Sequence, residues 1–236
     1  MSRESLAAFP EISLPNLSGN EKISNKNATT LYNGMIHPII GYTIKGCIWY
    51  HGETNYDRPD QYEKLFPAMV SLWRKEWNQG EFPFYYAQIA PFNYGPTNAE
   101  PRTQKMNSAY LRDAQRKALK NIPSSGMIVL LDNGEEASIH PADKETVGKR
   151  FAYLALGDTY QQKGFGYQSP LLDSLIIAGN TATIKFKYTL NGLTSYGKPL
   201  TQFEIAGSDK VYHLQKQLYT GGMFWFPRLM YLILLL

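Results

Sequence analysis

Cysteine is almost absent from the 236 residues. Cys47 stands alone, so neither an intramolecular disulfide framework nor a cysteine-rich metal site can be built. The lone thiol says little about compartment, because large secreted proteins can also lack disulfides. An excess of one charge is missing too: 24 Lys and Arg against 20 Asp and Glu leave +4, spread without a basic run. That argues against a nucleic-acid stripe or a polybasic membrane segment. The chain has no phosphate-binding glycine loop, no dinucleotide fingerprint and no His-rich metal spacing, and no repeat or low-complexity tract stands out. The stretch from Met1 to Lys22 has no apolar core of the kind a secretory signal needs. The long apolar run, Met230 to Leu236, is far short of the roughly 20 residues that span a bilayer. Its lack of closing polar residues makes both ends read as artificial boundaries within a longer polypeptide. A short membrane-associating tail is the rival reading.

What is present points to a folded chain. With 43% hydrophobic, 14% aromatic and 19% charged residues, the composition excludes a disordered protein. The length fits one large domain, or one with part of a second. Residues 1–30 are rich in Ser, Asn, Pro and Gly and read as irregular structure. Ile44 to Tyr50 is a short β-branched and aromatic run, a buried strand feeding the polar loop His51 to Asn55. From Gln61 to Trp77, Leu65, Met69, Leu72, Trp73 and Trp77 recur at helical spacing, with Pro67 expected in the first turns and Gly80 as the stop. Phe82 to Ala90 is a second strand, Gln104 to Leu119 a second helix with Met106, Tyr110, Leu111 and Ala114 inward, and Met127 to Leu131 a third strand. That last run is uninterrupted, as in a sheet covered on both faces. Asp143 is placed to N-cap a third helix through Tyr160, with Val147, Phe151 and Leu154 facing inward. Alternating strand and helix predict a three-layer α/β domain over 31–164. After Gly164 helical period vanishes. Strands at 175–179, 182–188 and 202–206, with turn signals at Asn180, Asn191-Gly192 and Ser208-Asp209, predict the start of a β-rich module over 165–236.

Ligands of parallel α/β sheets bind beyond the carboxyl ends of the strands. Two polar loops fall there: His51-Gly52-Glu53-Thr54-Asn55, and Asp132 to Pro141 with His140. Together a glycine, an amide and an imidazole could supply oxyanion donors and a general base. Spacing leaves the bland readings open. Gly52 and Asn55 could merely make a tight turn, His140 could be an ordinary loop histidine, and Glu135 and Glu136 read as solvated charges.

Six ordered blocks carry a resemblance: Leu31 to Ile40 (LYNGMIHPII), Ile44 to Asn55 (IKGCIWYHGETN), Trp73-Arg74, Pro83 to Phe92 (PFYYAQIAPF), Leu111 to Gln115 (LRDAQ) and Ile139 to Arg150 (IHPADKETVGKR). The series closely resembles the sialate O-acetylesterase family, a branch of the SGNH (GDSL-like) hydrolases. Phe203 to Lys210 (FEIAGSDK) and Asn191-Gly-Leu193 resemble that family's downstream β-rich region. The likeness implies a flavodoxin-like SGNH three-layer sandwich, incomplete here, and hydrolysis of acetyl esters on sugars by a serine nucleophile, a histidine base and an oxyanion hole. It implies no metal or organic cofactor. The partner is an O-acetylated sugar or glycan, with no nucleic acid and no membrane span, and the location extracytoplasmic (periplasmic, secreted or lysosomal). By position His140 matches the catalytic histidine. Gly52, Glu53 and Asn55 match the site-lining block, and Arg112 and Gln115 match a helix where packing or substrate-side polar support both remain open.

Three departures limit the transfer. The family's nucleophile lies in a Gly-Gln-Ser-Asn block that this chain lacks; Ser18 and Ser24 have no such context, so no nucleophile is assigned. His51 stands where glutamine is usual, and an imidazole can titrate. The usual acid position, three residues before the histidine, is Ala137; Asp132 is the tentative acid, with Glu136 or a Ser-His dyad as alternatives. The expectation is a carbohydrate O-acetylesterase whose nucleophile is missing from this stretch, inactive and poorly stable alone. The alternatives are a non-catalytic glycan-binding module on the same scaffold and a decayed gene fragment.

Overall fold

The structure, a computed structural model, describes residues 1, 3–14, 24, 25, 27–94, 108–178, 181–189, 192–194, 204–206, 212–214, 218–220, 223–227 and 231–233. Ser18, Gln104, Met106, Asn180, Asn191, Ser208 and Asp209 lie outside these. The chain divides into two compact units, Met1–Val147 and Gly148–Leu236.

The first unit is built on a parallel sheet of β1 (Cys47–Trp49), β2 (Phe84–Ala87) and β3 (Ser125–Ile128), in that order, with Trp49 opposite Tyr86 and Tyr86 opposite Met127. All four residues of β2 are buried. Strand alternation sends Phe84 and Tyr86 to one face and Tyr85 and Ala87 to the other. A strand enclosed on both faces is how central parallel strands differ from half-solvated antiparallel ones. On the Phe84 face, two helices pack together: α2 (Pro59–Trp77), with Tyr62, Phe66, Val70 and Trp73, and α3 (Ser108–Asn121), with Leu111, Ala114 and Ala118. Phe66 meets Tyr86 edge-on at 4.9 Å, the geometry that ring quadrupoles favour. At the start of the chain Arg3–Leu6 forms one helical turn, α1, from which Leu6 is buried.

Helix ends differ from the sequence reading in physically legible ways. α2 begins at Pro59, whose missing N–H costs nothing at a first position. Pro67 therefore sits in the third turn rather than the first, where it withholds the N–H that would bond the Glu63 carbonyl. The helix ends two residues before Gly80, at Asn78, which takes the left-handed conformation (φ 51°) and returns its N–H to the Arg74 carbonyl at 3.1 Å. Arg74, buried beneath this end, donates Nη2 to the Phe82 and Pro123 carbonyls at 2.8 and 2.7 Å, tying the entries of β2 and β3 together. α4 (Lys144–Leu154) is capped as expected: the Thr146 N–H donates to Asp143 Oδ1 at 2.9 Å. A π-type turn, Ala155–Thr159, extends it, and Val147, Phe151 and Leu154 are buried.

The second unit is β-rich. β4 (Leu171–Ala178), β5 (Thr181–Lys187), β8 (Leu218–Thr220) and β9 (Met223–Pro227) make an antiparallel sheet ordered β4-β5-β9-β8. β6 (Glu204–Ala206), β7 (Tyr212–Leu214) and β10 (Tyr231–Ile233) make another, ordered β10-β6-β7. The alternation of β5 holds, with Ile184 fully buried and Lys185 and Lys187 outward. β4 starts at Leu171, four residues before the expected Leu175, because its register slips between Leu172 and Ser174. A bulge breaks the period that would announce the strand. Part of the apolar C-terminal run thus pairs as β10 with β6. Among the described residues no helix is long and apolar enough to cross a membrane.

Candidate active site

The loop after β1 turns sharply at Gly52, whose φ of 145° lies where side chains are strained. Space is closed as well: a Cβ there would stand 3.2 Å from Gln115 Nε2 and from Ile89 Cγ2. The preceding carbonyl, of His51, accepts two hydrogen bonds at 3.2 Å, from Gln115 Nε2 and from the Tyr62 hydroxyl. A trans peptide points its N–H opposite its C=O. With the His51 carbonyl held toward α2 and α3, the Gly52 N–H is directed the other way, and it meets no acceptor among the described residues. Gln115 is wholly buried and also accepts the Ile89 N–H at 2.9 Å and donates to the Ala87 carbonyl at 3.2 Å. One amide therefore binds the ends of β1 and β2 together, which settles its role as structural rather than substrate-facing. Glu53 to Asn55 form a single 3-10 turn, closed by Asn55 N–H on the Gly52 carbonyl at 2.7 Å.

The loops after β2 and β3 are fastened to each other. Gly134 lies so close on Pro91 that no side chain would fit, and the Asn93 N–H donates to the Glu136 carbonyl at 3.2 Å. Asn133 is buried and donates Nδ2 to Asp143 Oδ2 at 3.0 Å, clasping the two ends of the loop that carries His140. Asp143 is thereby occupied twice, as helix cap and as clasp. His140 and Asp132 are exposed on this loop. The Ser138 hydroxyl donates to the His140 carbonyl at 3.0 Å, shaping the backbone beside the imidazole. Four residues beyond His140, Lys144 Nζ sits 5.0 Å from the centre of the Tyr50 ring, immediately after β1. His51 and Asn55 line an apolar cavity of about 270 Å³ with Trp49, Tyr62 and Phe66; His140 is not among its walls. Among the described residues no cluster of three or more His, Cys, Asp or Glu is disposed to hold a metal.

Several residues at this end gave no functional signal in the sequence. Tyr94 stacks on Tyr56 at 4.1 Å and meets Phe92 edge-on at 5.0 Å, an aromatic wall of the sort on which sugar rings stack. Burial, reinforced by Glu53, pushes the Tyr50 hydroxyl up to about 12, so it stays protonated.

The family model described as carbohydrate esterase, sialic acid-specific acetylesterase, matches residues 13–156. The chain belongs to that family. It is 27% identical over 172 residues to the mouse sialate O-acetylesterase, which covers 68% of this chain and 32% of the relative. The human enzyme gives the same identity with 33% of its length covered, and the rat enzyme 29% over 180 residues. The chain thus spans about a third of the curated relatives it matches. Among solved structures, a carbohydrate acetylesterase from Xanthomonas citri aligns over 89% of this chain and 48% of its own, at 31% identity and a TM-score of 0.77. The mixed α/β fold with its parallel sheet and a further antiparallel sheet is that of the carbohydrate acetylesterases, as the resemblance implied.

Within this acetylesterase family member, His51 has a distinctive setting. Its ring lies parallel to Tyr62 at 6.2 Å and against Trp49 at 5.2 Å, and this desolvation holds its pKa below the ordinary 6.5 despite an opposing pull from Glu53. The unfolded chain then takes up the proton first, so stability rises with pH through this window: the contribution is complete above about 6.5 and is lost as pH falls through the folded value. His51→Gln should flatten the fall in thermal midpoint between about pH 7 and about pH 5. Equal slopes in both proteins would assign that dependence elsewhere.

Proposed function

We propose that this chain is the histidine- and oxyanion-bearing part of a carbohydrate O-acetylesterase that cleaves acetyl esters on sugars by serine-type acyl transfer. His140 takes the proton from an attacking serine hydroxyl and returns it to the departing sugar oxygen. The Gly52 N–H stabilises the tetrahedral oxyanion, Asn55 and Glu53 line the site with His51, and Asp132 is the acid assigned to steady the imidazole. Water then releases acetate through the same base. The observation that supports this reading is the pinned His51 carbonyl, which leaves the Gly52 N–H aimed away from the core with no acceptor among the described residues. Preorganised N–H donors of this kind contribute roughly 3–4 kcal/mol to acyl transfer.

The serine is supplied by polypeptide other than the stretch from Leu31 to Lys210. Two described hydroxyls near the loops are engaged in local structure: Ser138 donates to the His140 carbonyl, and Ser108 accepts from Arg112. An extracytoplasmic location belongs to the same proposal. A fluorophosphonate probe is expected to leave the 236-residue chain unlabelled and an aryl acetate unhydrolysed. Adding a segment that bears the Gly-Gln-Ser-Asn block should restore both. Stoichiometric labelling of the chain alone, with turnover, would overturn the assignment. The missing block also favours a second reading, a glycan-binding module without catalysis, for which the restored chain would bind sugar but release no acetate.

A further inference from the structure

Acyl transfer needs its base and its oxyanion donor at a set spacing. Here they sit on different loops, Gly52 after β1 and His140 after β3. The His140 loop is stiffened from within. Asn133 clasps Asp143, the Glu135 carboxylate accepts the Ala142 N–H, and the Ser138 hydroxyl accepts the His140 N–H at 3.3 Å. It is fastened to the loop after β2 by Gly134 against Pro91 and by the Asn93 N–H on the Glu136 carbonyl. None of these contacts touches the loop that carries Gly52.

Lys144 does reach that loop. It is the first residue of α4, and its Nζ lies 5.0 Å from the centre of the Tyr50 ring. Tyr50 stands two residues before Gly52, and its buried hydroxyl oxygen anchors the ring. The helix does not explain the lysine, because its first turn presents the positive end of the macrodipole, where a cation is disfavoured. Nor does the core, since the residue is exposed. An ammonium over an aromatic face is drawn to the ring quadrupole, and this one lies four residues from His140 along the chain. We propose that Lys144 is a positioning residue: seated on Tyr50, it sets the spacing between the His140 loop and the Gly52 N–H, and through that spacing the rate of acyl transfer. The proposal rests on the esterase reading for its chemistry, whereas the spacing is testable without any.

In the 236-residue chain, the amide signals of Gly52 and His140 are followed by NMR. Each substitution is expected to move the signal on the far loop, Gly52 in Lys144→Met and His140 in Tyr50→Leu. Lys144→Arg keeps a cation over the ring and should return Gly52 to its place. Because Lys144 is exposed, its variants keep the fold and decide the matter even where Tyr50→Leu does not fold. A Gly52 signal unmoved in Lys144→Met overturns the proposal. In the chain supplemented with the serine-bearing segment, Lys144→Met should lower kcat about threefold to tenfold with KM within about twofold. Lys144→Arg should recover most of that loss, and Tyr50→Leu should add little to Lys144→Met, as partners in one contact do. A purely structural lysine would lower the thermal midpoint and leave kcat alone, and a sugar-binding lysine would raise KM; either result overturns the proposal. A supplemented chain that releases no acetate while the far-loop signals respond would remove the esterase reading and leave the spacing role in place.

Discussion

Gln115→Ala is expected to lower the unfolding free energy of the first unit by about 3–4 kcal/mol, seen as a matching fall in urea midpoint. The amide is fully buried and serves three backbone groups: the Ile89 N–H, the Ala87 carbonyl and the His51 carbonyl. Truncation strips all three of a partner and leaves a cavity between α3 and the sheet. Each lost partner in a site closed to water costs roughly 1–3 kcal/mol, partly recovered by relaxation. Gln115→Met separates the two causes, because it fills similar volume without polar atoms. It should recover the packing share alone. The His51 carbonyl would keep only Tyr62 as donor, so the peptide that directs the Gly52 N–H would be freer to turn. In a serine-restored protein, acetyl turnover should therefore fall further than stability explains. A loss under about 1 kcal/mol for Gln115→Ala would contradict the role given to this amide.

The second large effect is catalytic. In the chain supplemented with the serine-bearing segment, His140→Ala should reduce kcat by roughly four to six orders of magnitude, as removal of the base does in other serine-type acyl transfer. The KM for an acetylated sugar should change little, since the ring acts on a proton rather than on the glycan. Unfolding should be unaffected, because His140 is exposed and its backbone contacts run through Ser138. A kcat loss below about tenfold would remove His140 from the chemistry and with it the proposed mechanism.

Elements with strong period were legible without coordinates. The spacing of Leu65, Met69, Leu72 and Trp73 announced α2, while the apolar run Met127–Leu131 marked only the second half of β3, which begins at Ser125 and ends at Ile128. Asp143 was recognisable as a cap because short acidic side chains before a helix have few other uses. The misses have local causes. Arg58-Pro59-Asp60 reads as loop chemistry, so the true start of α2 was overlooked, and the slip at Leu172 hid half of β4. The site was legible only through likeness: Gly52 and His140 stand in matching blocks, whereas their spacing alone allowed a turn and a loop. Long-range partnerships were invisible. Nothing in Trp73-Arg74 tells that Arg74 reaches a carbonyl 49 positions away at Pro123, nor does Leu-Arg-x-Ala-Gln reveal that its glutamine stitches two strand ends. Such roles depend on which backbone groups the fold leaves facing a side chain, and that is decided by packing.

The bond between Asn133 and Asp143 has a bearing on descent. Because the residues it joins also begin α4 and abut Pro91 through Gly134, the span between them is a closed ring of set circumference. Insertions or deletions inside it would have to unfasten the helix cap, so lineages can vary its side chains far more readily than its length.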